Sequence, residues 1–211
     1  MYVTRHQSGA VTPDPSGAQN MTNPTTFTPA TTLADLSGTY TLDSAHTRIG
    51  FVARHAMVTK VRGQFNDFEG SGVVDPSDFT KSTVTVIIQA ASIDTRNEQR
   101  DAHLRSNDFL AMDEYPHITF TSTGIQQNGP TSVELTGDLT IRGVTNTVTI
   151  PFEFEGAATD PYGNLRVGFE GSVVINRKDY GVTWNVALET GGVLVSDKVT
   201  LEFEVSAIKT A

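Results

Sequence analysis

The sequence predicts an all-β protein with one short helix, its eight or so antiparallel strands forming a closed barrel or a sandwich. Three observations carry that expectation. Valine, isoleucine and threonine make up 61 of the 211 residues, against 11 leucines. Branching at Cβ stiffens the side chain and suits a pleated surface. Four segments alternate apolar and polar residues cleanly, with the period of two that a half-buried strand requires. The segments are joined by short turns, which makes an antiparallel meander and, at this length, a closed barrel or a sandwich.

In chain order, residues 46–55 place Ile49 and Phe51 on one face, with Val52 opposed. In 61–74 the parity slips. Val61, Gly63 and Phe65 are odd, while Phe68, Gly70, Gly72 and Val74 are even, and a bulge near Asn66–Asp67 would reconcile them. Residues 84–91 alternate less cleanly. Thr95-Arg96-Asn97-Glu98 reads as a capping box opening a helix over roughly 96–110, with Asp101 and Arg105 as an i,i+4 pair and Pro116 as the downstream limit. Residues 117–125 form the next strand. In 133–142, Val133, Leu135, Leu139 and Ile141 point inward. In 148–155 Val148, Ile150, Phe152 and Phe154 do, and in 165–175 Leu165, Val167, Phe169, Val173 and Ile175. Val199, Leu201, Phe203 and Val205 close the series.

Residues 1–36 read as a disordered N-terminal tail and 37–211 as the folded domain. The first 35 residues hold four of the nine prolines and only three charged side chains, with no apolar run to offset ordering entropy. They lack the apolar stretch of a secretory signal, and Met21 is a candidate start with 1–20 as an extension.

The exclusions are equally informative. The chain has no cysteine, which rules out disulfides, a thiol nucleophile and thiolate zinc sites. A formal charge of −9 argues against nucleic acid and anionic membrane surfaces as main partners. No run approaches the ~20 apolar residues of a membrane-spanning helix. The five histidines show no ligand spacing, so no metal site is expected. No nucleophile elbow or phosphate-cradling loop occurs, so no catalytic residue and no cofactor are expected.

What remains is shape. Eleven phenylalanines and one tryptophan are many for so few leucines, and several phenylalanines fall on inward parity. An eight-stranded barrel is just wide enough to be filled by side chains or to hold one slender ligand. Sequence pattern does not separate the two. The expected ligand-binding wall is Phe51, Phe65, Phe120, Leu139, Ile141, Phe152, Phe154, Phe169, Trp184 and Phe203. His55, Arg100, His103 and Arg142 are candidate head-group contacts.

Four separated motifs resemble the YceI-like family of lipocalin-like, polyisoprenoid-binding proteins, over about 38–208. They are Tyr40-x-x-Asp43-x-x-His46-x-x-Ile49-x-Phe51 with His55 and Gly63-x-Phe65, and Ile93-Asp94-Thr95 with Arg100-Asp101-x-His103-Leu104, Asp108-Phe109 and Tyr115-Pro116-x-Ile118-x-Phe120. The others are Gly137 to Thr145, and Ile175-Asn176-Arg177-x-Asp179-Tyr180-Gly181. The resemblance implies an all-β fold with one short helix, an eight-stranded antiparallel lipocalin-like β-barrel whose apolar pore takes an isoprenoid quinone or prenyl carrier for transport or storage, and a homodimer. Without a signal segment, a cytoplasmic location is the expectation. Two alternatives stand beside it: an enzyme using the barrel as a chamber with His55 or His103 as acid or base, and a filled barrel serving as a stress-response interaction module.

Overall fold

The computed structural model describes residues 32–189 and 191–211. The strands are β1 (Gly38–Leu42), β2 (Arg48–His55), β3 (Thr59–Phe65), β4 (Phe68–Val74), β5 (Thr83–Gln89) and β6 (Ile93–Asp94), followed after the helix α1 (Glu98–Arg105) by β7 (His117–Gln127), β8 (Ser132–Ile141), β9 (Val144–Thr159), β10 (Leu165–Asn176) and β11 (Val195–Lys209). Every pairing is antiparallel. β1 and β2 are two halves of one bent stave, as are β3 and β4, and β5 and β6. The long β11 pairs with both halves of the first stave, Lys209 opposite Tyr40 and Leu201 opposite Phe51, so the ring closes. The result is a closed eight-stranded antiparallel barrel.

β8 shows the logic most cleanly, since burial alternates along its whole length and Val133, Leu135, Leu139 and Ile141 face inward. The two ends of the barrel are closed differently. At one end Leu33 and Leu36, each 2% exposed, pack with Tyr40, Val133, Phe154, Val167 and Ala207. At the other lie α1, the turns that follow it, and the 3-10 turn Arg177–Tyr180, which packs Tyr180 against Ile141 and Ile175. At the first rim Thr39 N–H donates to the Ala211 carbonyl and Thr210 N–H to the Thr39 carbonyl, so the C-terminal residues clasp β1 there. Among the described residues no helix is long and apolar enough to cross a membrane.

The structure departs from the sequence expectation in four places. Most of the expected tail, residues 1–31, lies outside the described residues. Its last part does not behave as a tail: Leu33–Asp35 form a 3-10 turn, closed by the Thr32–Asp35 capping box, and bury Leu33 and Leu36. Two apolar side chains were too few to register as a core segment by periodicity. Next, the parity slip at Asn66–Asp67 is not a bulge but a change of partners, from β2 and β6 before it to β1 and β5 after it.

The helix is also shorter than 96–110. Its cap is Asn97, whose Oδ1 accepts from Arg100 N–H at 2.9 Å, and it ends at Arg105. The Ser106 hydroxyl then donates to the His103 carbonyl and accepts from the Asp108 N–H, turn-type hydrogen bonds that compete with helix. Finally, Asp101 and Arg105 do not pair. Buried Asp101 accepts from the N–H and hydroxyl of Thr95, at 2.9 and 2.5 Å, while Arg105 donates to the carbonyls of Ala91 and Ile93. Both side chains fasten the helix to the β6 stave rather than to each other.

Candidate ligand-binding cavity

The barrel interior is hollow. A cavity of about 360 Å³ runs from Leu33, Leu36 and Tyr40 at one end to Leu104, Phe109 and Tyr180 at the other. That volume lies within the range of small-molecule sites. Its wall is almost wholly aliphatic and aromatic, with Ile49, Val84, Ile118, Leu135, Ile150 and Leu201 among the lining residues.

The phenylalanines leave room because of glycines on the neighbouring strands. Phe51 lies opposite Gly63 and Phe152 opposite Gly171, in register. A Cβ at Gly63 would come 2.3 Å from Phe51 Cζ, and one at Gly171 2.5 Å from Phe152 Cδ1. Phe120 lies over Gly137 in the same way, at 2.4 Å. Each ring occupies wall space that a side chain on the next strand would otherwise fill, so it lies along the wall instead of crossing the lumen.

Of the ten residues expected to form the wall, Phe51, Phe65, Phe120, Leu139, Ile141, Phe152, Phe169 and Phe203 line the cavity. Phe154 and Trp184 do not. Phe154 is buried in the cluster at the Leu33 end of the barrel without lining the cavity, its ring 5.3 Å from that of Phe169. The strand register shifts between Gly168 and Phe169, where β10 faces β9, and this offsets the simple alternation. Trp184 stacks on His103 and Phe109 at the rim, with centroids at 4.7 and 5.2 Å.

None of the four candidate head-group residues lines the cavity. His55 is exposed at the end of β2. Arg100 donates through Nε to Thr95 Oγ1 at 2.7 Å and through Nη2 to the Thr95 carbonyl at 2.8 Å, tying α1 to the preceding turn. His103 Nε2 lies 2.8 Å from Asp108 Oδ2. Arg142 donates to the Gly181 carbonyl at 3.1 Å and so joins two loops. Their long polar side chains read as head-group contacts in sequence, but each lies outside the barrel wall.

Sequence reasoning missed the two most informative interior groups. The phenol oxygens of Tyr40 and Tyr180 are buried and, among the described residues, have no hydrogen-bond partner. Both residues line the cavity, near its opposite ends, and are 5% and 2% exposed. Burial pushes both phenols above their ordinary pKa, with the Asp179 carboxylate adding to the effect at Tyr180, so both remain O–H donors at neutral pH. The one buried arginine on the wall, Arg177, is already committed. Its Nε donates to the Ser196 carbonyl at 3.0 Å and its Nη1 to the carbonyls of Val182 and Trp184 at 2.7 and 2.9 Å. Burial lowers its pKa, an effect that Asp197 partly offsets. Among the described residues, no group of three or more histidine, aspartate or glutamate side chains could hold a metal ion.

Known proteins place this geometry. The YceI-like domain family model matches residues 40–207. A UPF0312 protein of Staphylococcus aureus strain N315 is 41% identical over 169 residues, covering 80% of this chain and 95% of that protein. Among solved structures, BcnA of Burkholderia cenocepacia superposes with a TM-score of 0.69 at 25% identity, covering 78% of this chain and 98% of BcnA. The Campylobacter jejuni YceI protein gives 0.65 at 32% identity, covering 81% and 97%. A polyisoprenoid-binding domain from Saccharophagus degradans shares the fold, at 0.63 and 15% identity over 81% of this chain and 98% of that one. With motif, barrel and hollow interior in agreement, this chain belongs to the YceI-like domain family.

Proposed function

We propose that this protein binds a long-chain isoprenoid lengthwise in its barrel, for transport or storage, and that the ligand is neutral. The observation that carries the reading is the apolar cavity running between the two ends of the barrel, with one unpartnered phenol near each end. The Saccharophagus degradans neighbour, described as a polyisoprenoid-binding domain, supports the chain class. Apolar burial contributes ~0.8 kcal/mol per CH₂, so a prenyl chain needs no ionic anchor.

The polar groups then select the head. A buried hydroxyl without a partner costs about 1–3 kcal/mol, and a ligand oxygen that accepts from it removes that cost. Tyr180 and Tyr40 each offer one donor. Arg177, the buried cation of the wall, has its Nε and Nη1 N–H groups spent on backbone carbonyls and its Nη2 3.5 Å from the Asp197 carboxylate, so a diphosphate would enter without a free counter-charge. A prenyl quinone or a prenyl alcohol fits these conditions better than a prenyl diphosphate. Phe51, Phe65, Phe120, Leu139, Ile141, Phe152, Phe169 and Phe203 are the proposed chain contacts.

The test is organic extraction of purified protein followed by mass spectrometry, with uptake of an added prenyl quinone measured in parallel. Recovery of a neutral isoprenoid, or saturable uptake, is the expected result. Absence of both overturns the reading.

A further inference from the structure

The hairpin of β2 and β3 differs in charge from the rest of the molecule. The chain carries −9 overall, yet residues 54–62 contain Arg54, His55, Lys60 and Arg62 and no acid. Arg54, Lys60 and Arg62 are exposed. Among the described residues none of the three side chains has an ion-pair partner. Arg54 and Lys60 stand directly opposite each other across the ladder. Like charges in that position destabilise a sheet unless an anion lies between or above them. The nearby acids are committed elsewhere: Asp197 lies 2.9 Å from Lys178 Nζ and 3.5 Å from Arg177 Nη2, and Asp94 accepts from Arg96 N–H and Asn66.

The tip of the hairpin is apolar. Met57 is 51% exposed and Val58 77%, the second-highest among the large apolar side chains. Ala56 and Met57 sit in the left-handed region, at φ 49° and 60°, within the three-residue turn 56–58, which Val58 N–H closes by donating to the His55 carbonyl at 3.0 Å. The tip is braced from behind, since Ala56 N–H donates to the Leu194 carbonyl at 2.7 Å. Two apolar side chains are thus held outward on a rigid turn above a row of unpaired cations.

We infer that this hairpin docks the barrel on an anionic phospholipid surface, with Met57 and Val58 entering the headgroup layer and Arg54, Lys60 and Arg62 facing lipid phosphates. Exposed apolar residues next to basic ones are the chemistry of interfacial binding, and each cation near an anionic leaflet strengthens it about fivefold. Phe51 and Ala53, on the same β2 strand, line the cavity. The docked rim therefore belongs to the compartment that would receive an apolar ligand from the bilayer. The net charge does not oppose this, because screening limits its reach to about 10 Å at moderate salt.

The experiment is vesicle co-sedimentation of the full chain, which needs no isoprenoid ligand and so stands apart from the binding reading above. Vesicles of phosphatidylcholine alone are compared with vesicles containing 30% phosphatidylglycerol, in about 0.1 M and in 1 M salt. The expected result is sedimentation with the anionic vesicles only, lost in high salt. Roughly fivefold weakening is expected for each of Arg54→Gln, Lys60→Gln and Arg62→Gln, and comparable weakening for Val58→Asp. Far-ultraviolet circular dichroism confirms that each variant folds. No sedimentation with anionic vesicles overturns the proposal. So does binding unaffected by the three neutralisations. Binding that needs the cations but is indifferent to Val58→Asp, or is matched by a single-stranded oligonucleotide, assigns the hairpin to a soluble polyanion and also overturns it.

Discussion

The ring of Phe152 covers Gly171 so closely that a Cβ there would lie 2.5 Å from Phe152 Cδ1. The two residues are register partners on β9 and β10, and Phe152 also packs against Phe203 at 5.8 Å between centroids. Replacing Gly171 by valine forces the ring off the wall and into the lumen. The expected outcome is a destabilisation of about 1–3 kcal/mol, the usual cost of overpacking, together with a smaller capacity for ligand. Urea denaturation and quinone uptake read the two effects separately. A variant with wild-type values for both would show that the ring does not depend on the glycine.

Tyr180→Phe removes a hydroxyl that has no partner among the described residues. The ligand-free protein should therefore melt at the same temperature or slightly higher, since a buried unsatisfied group disappears. Affinity for a prenyl quinone should fall roughly tenfold, the equivalent of ~1.4 kcal/mol, whereas a plain hydrocarbon of equal length should bind as before. Equal losses for both ligands would count against a hydrogen bond at this position.

Leu33→Ala and Leu36→Ala each remove a fully buried side chain from the end of the barrel. Each should cost about 2–3 kcal/mol, at the low end of the leucine range because the site already borders a cavity. The measurement is the urea midpoint at constant slope. Shifts near zero would mean that residues 33–36 leave the barrel in solution.

Acid should unfold the protein through the Asp43–Arg166–Asp160 cluster. The Arg166 guanidinium holds the Asp43 carboxyl below its ordinary pKa, and hydrogen bonds from Asn164, followed by Arg166 and Tyr162, hold Asp160 well below it. A carboxylate with a folded pKa beneath its unfolded value of about 3.9 stabilises at pH above that value, and the stabilisation is lost as pH falls through the folded pKa. The loss should begin below about pH 4. In Asp160→Asn the decline of the urea midpoint between pH 5 and pH 2 should be shallower. An identical decline in both proteins would place the acid sensitivity elsewhere.

Much of the wall was legible in the sequence because barrel closure preserves the period of two. Leu139, Ile141 and Phe203 fell on the correct face by parity alone, and so did both members of the Phe152–Gly171 pair. The failures share a physical cause. Phe154 and Trp184 lie where the register shifts or where the chain has left the sheet, and alternation carries no information there. His55, Arg100, His103 and Arg142 were read by residue type, and residue type does not distinguish a group that meets ligand from one that fastens a loop. Tyr40 and Tyr180 stood within the recognised motifs, but only coordinates reveal that a phenol lacks a partner. Whether the barrel is full or hollow was not in the alternation at all. It depends on which inward positions on neighbouring strands are glycine.

The rim where residues 39 and 211 meet has a practical corollary. A linker attached after Ala211 departs from the Leu33 side, while the Met57–Val58 turn projects from the opposite rim. Immobilising the protein by such a linker would leave the far rim unobstructed, and a bulky fusion partner would stand clear of a bilayer. Trimming the chain to the 40–207 span shared with its relatives would remove Leu33, Leu36 and the Thr39–Ala211 clasp together, and would open the floor of the vessel.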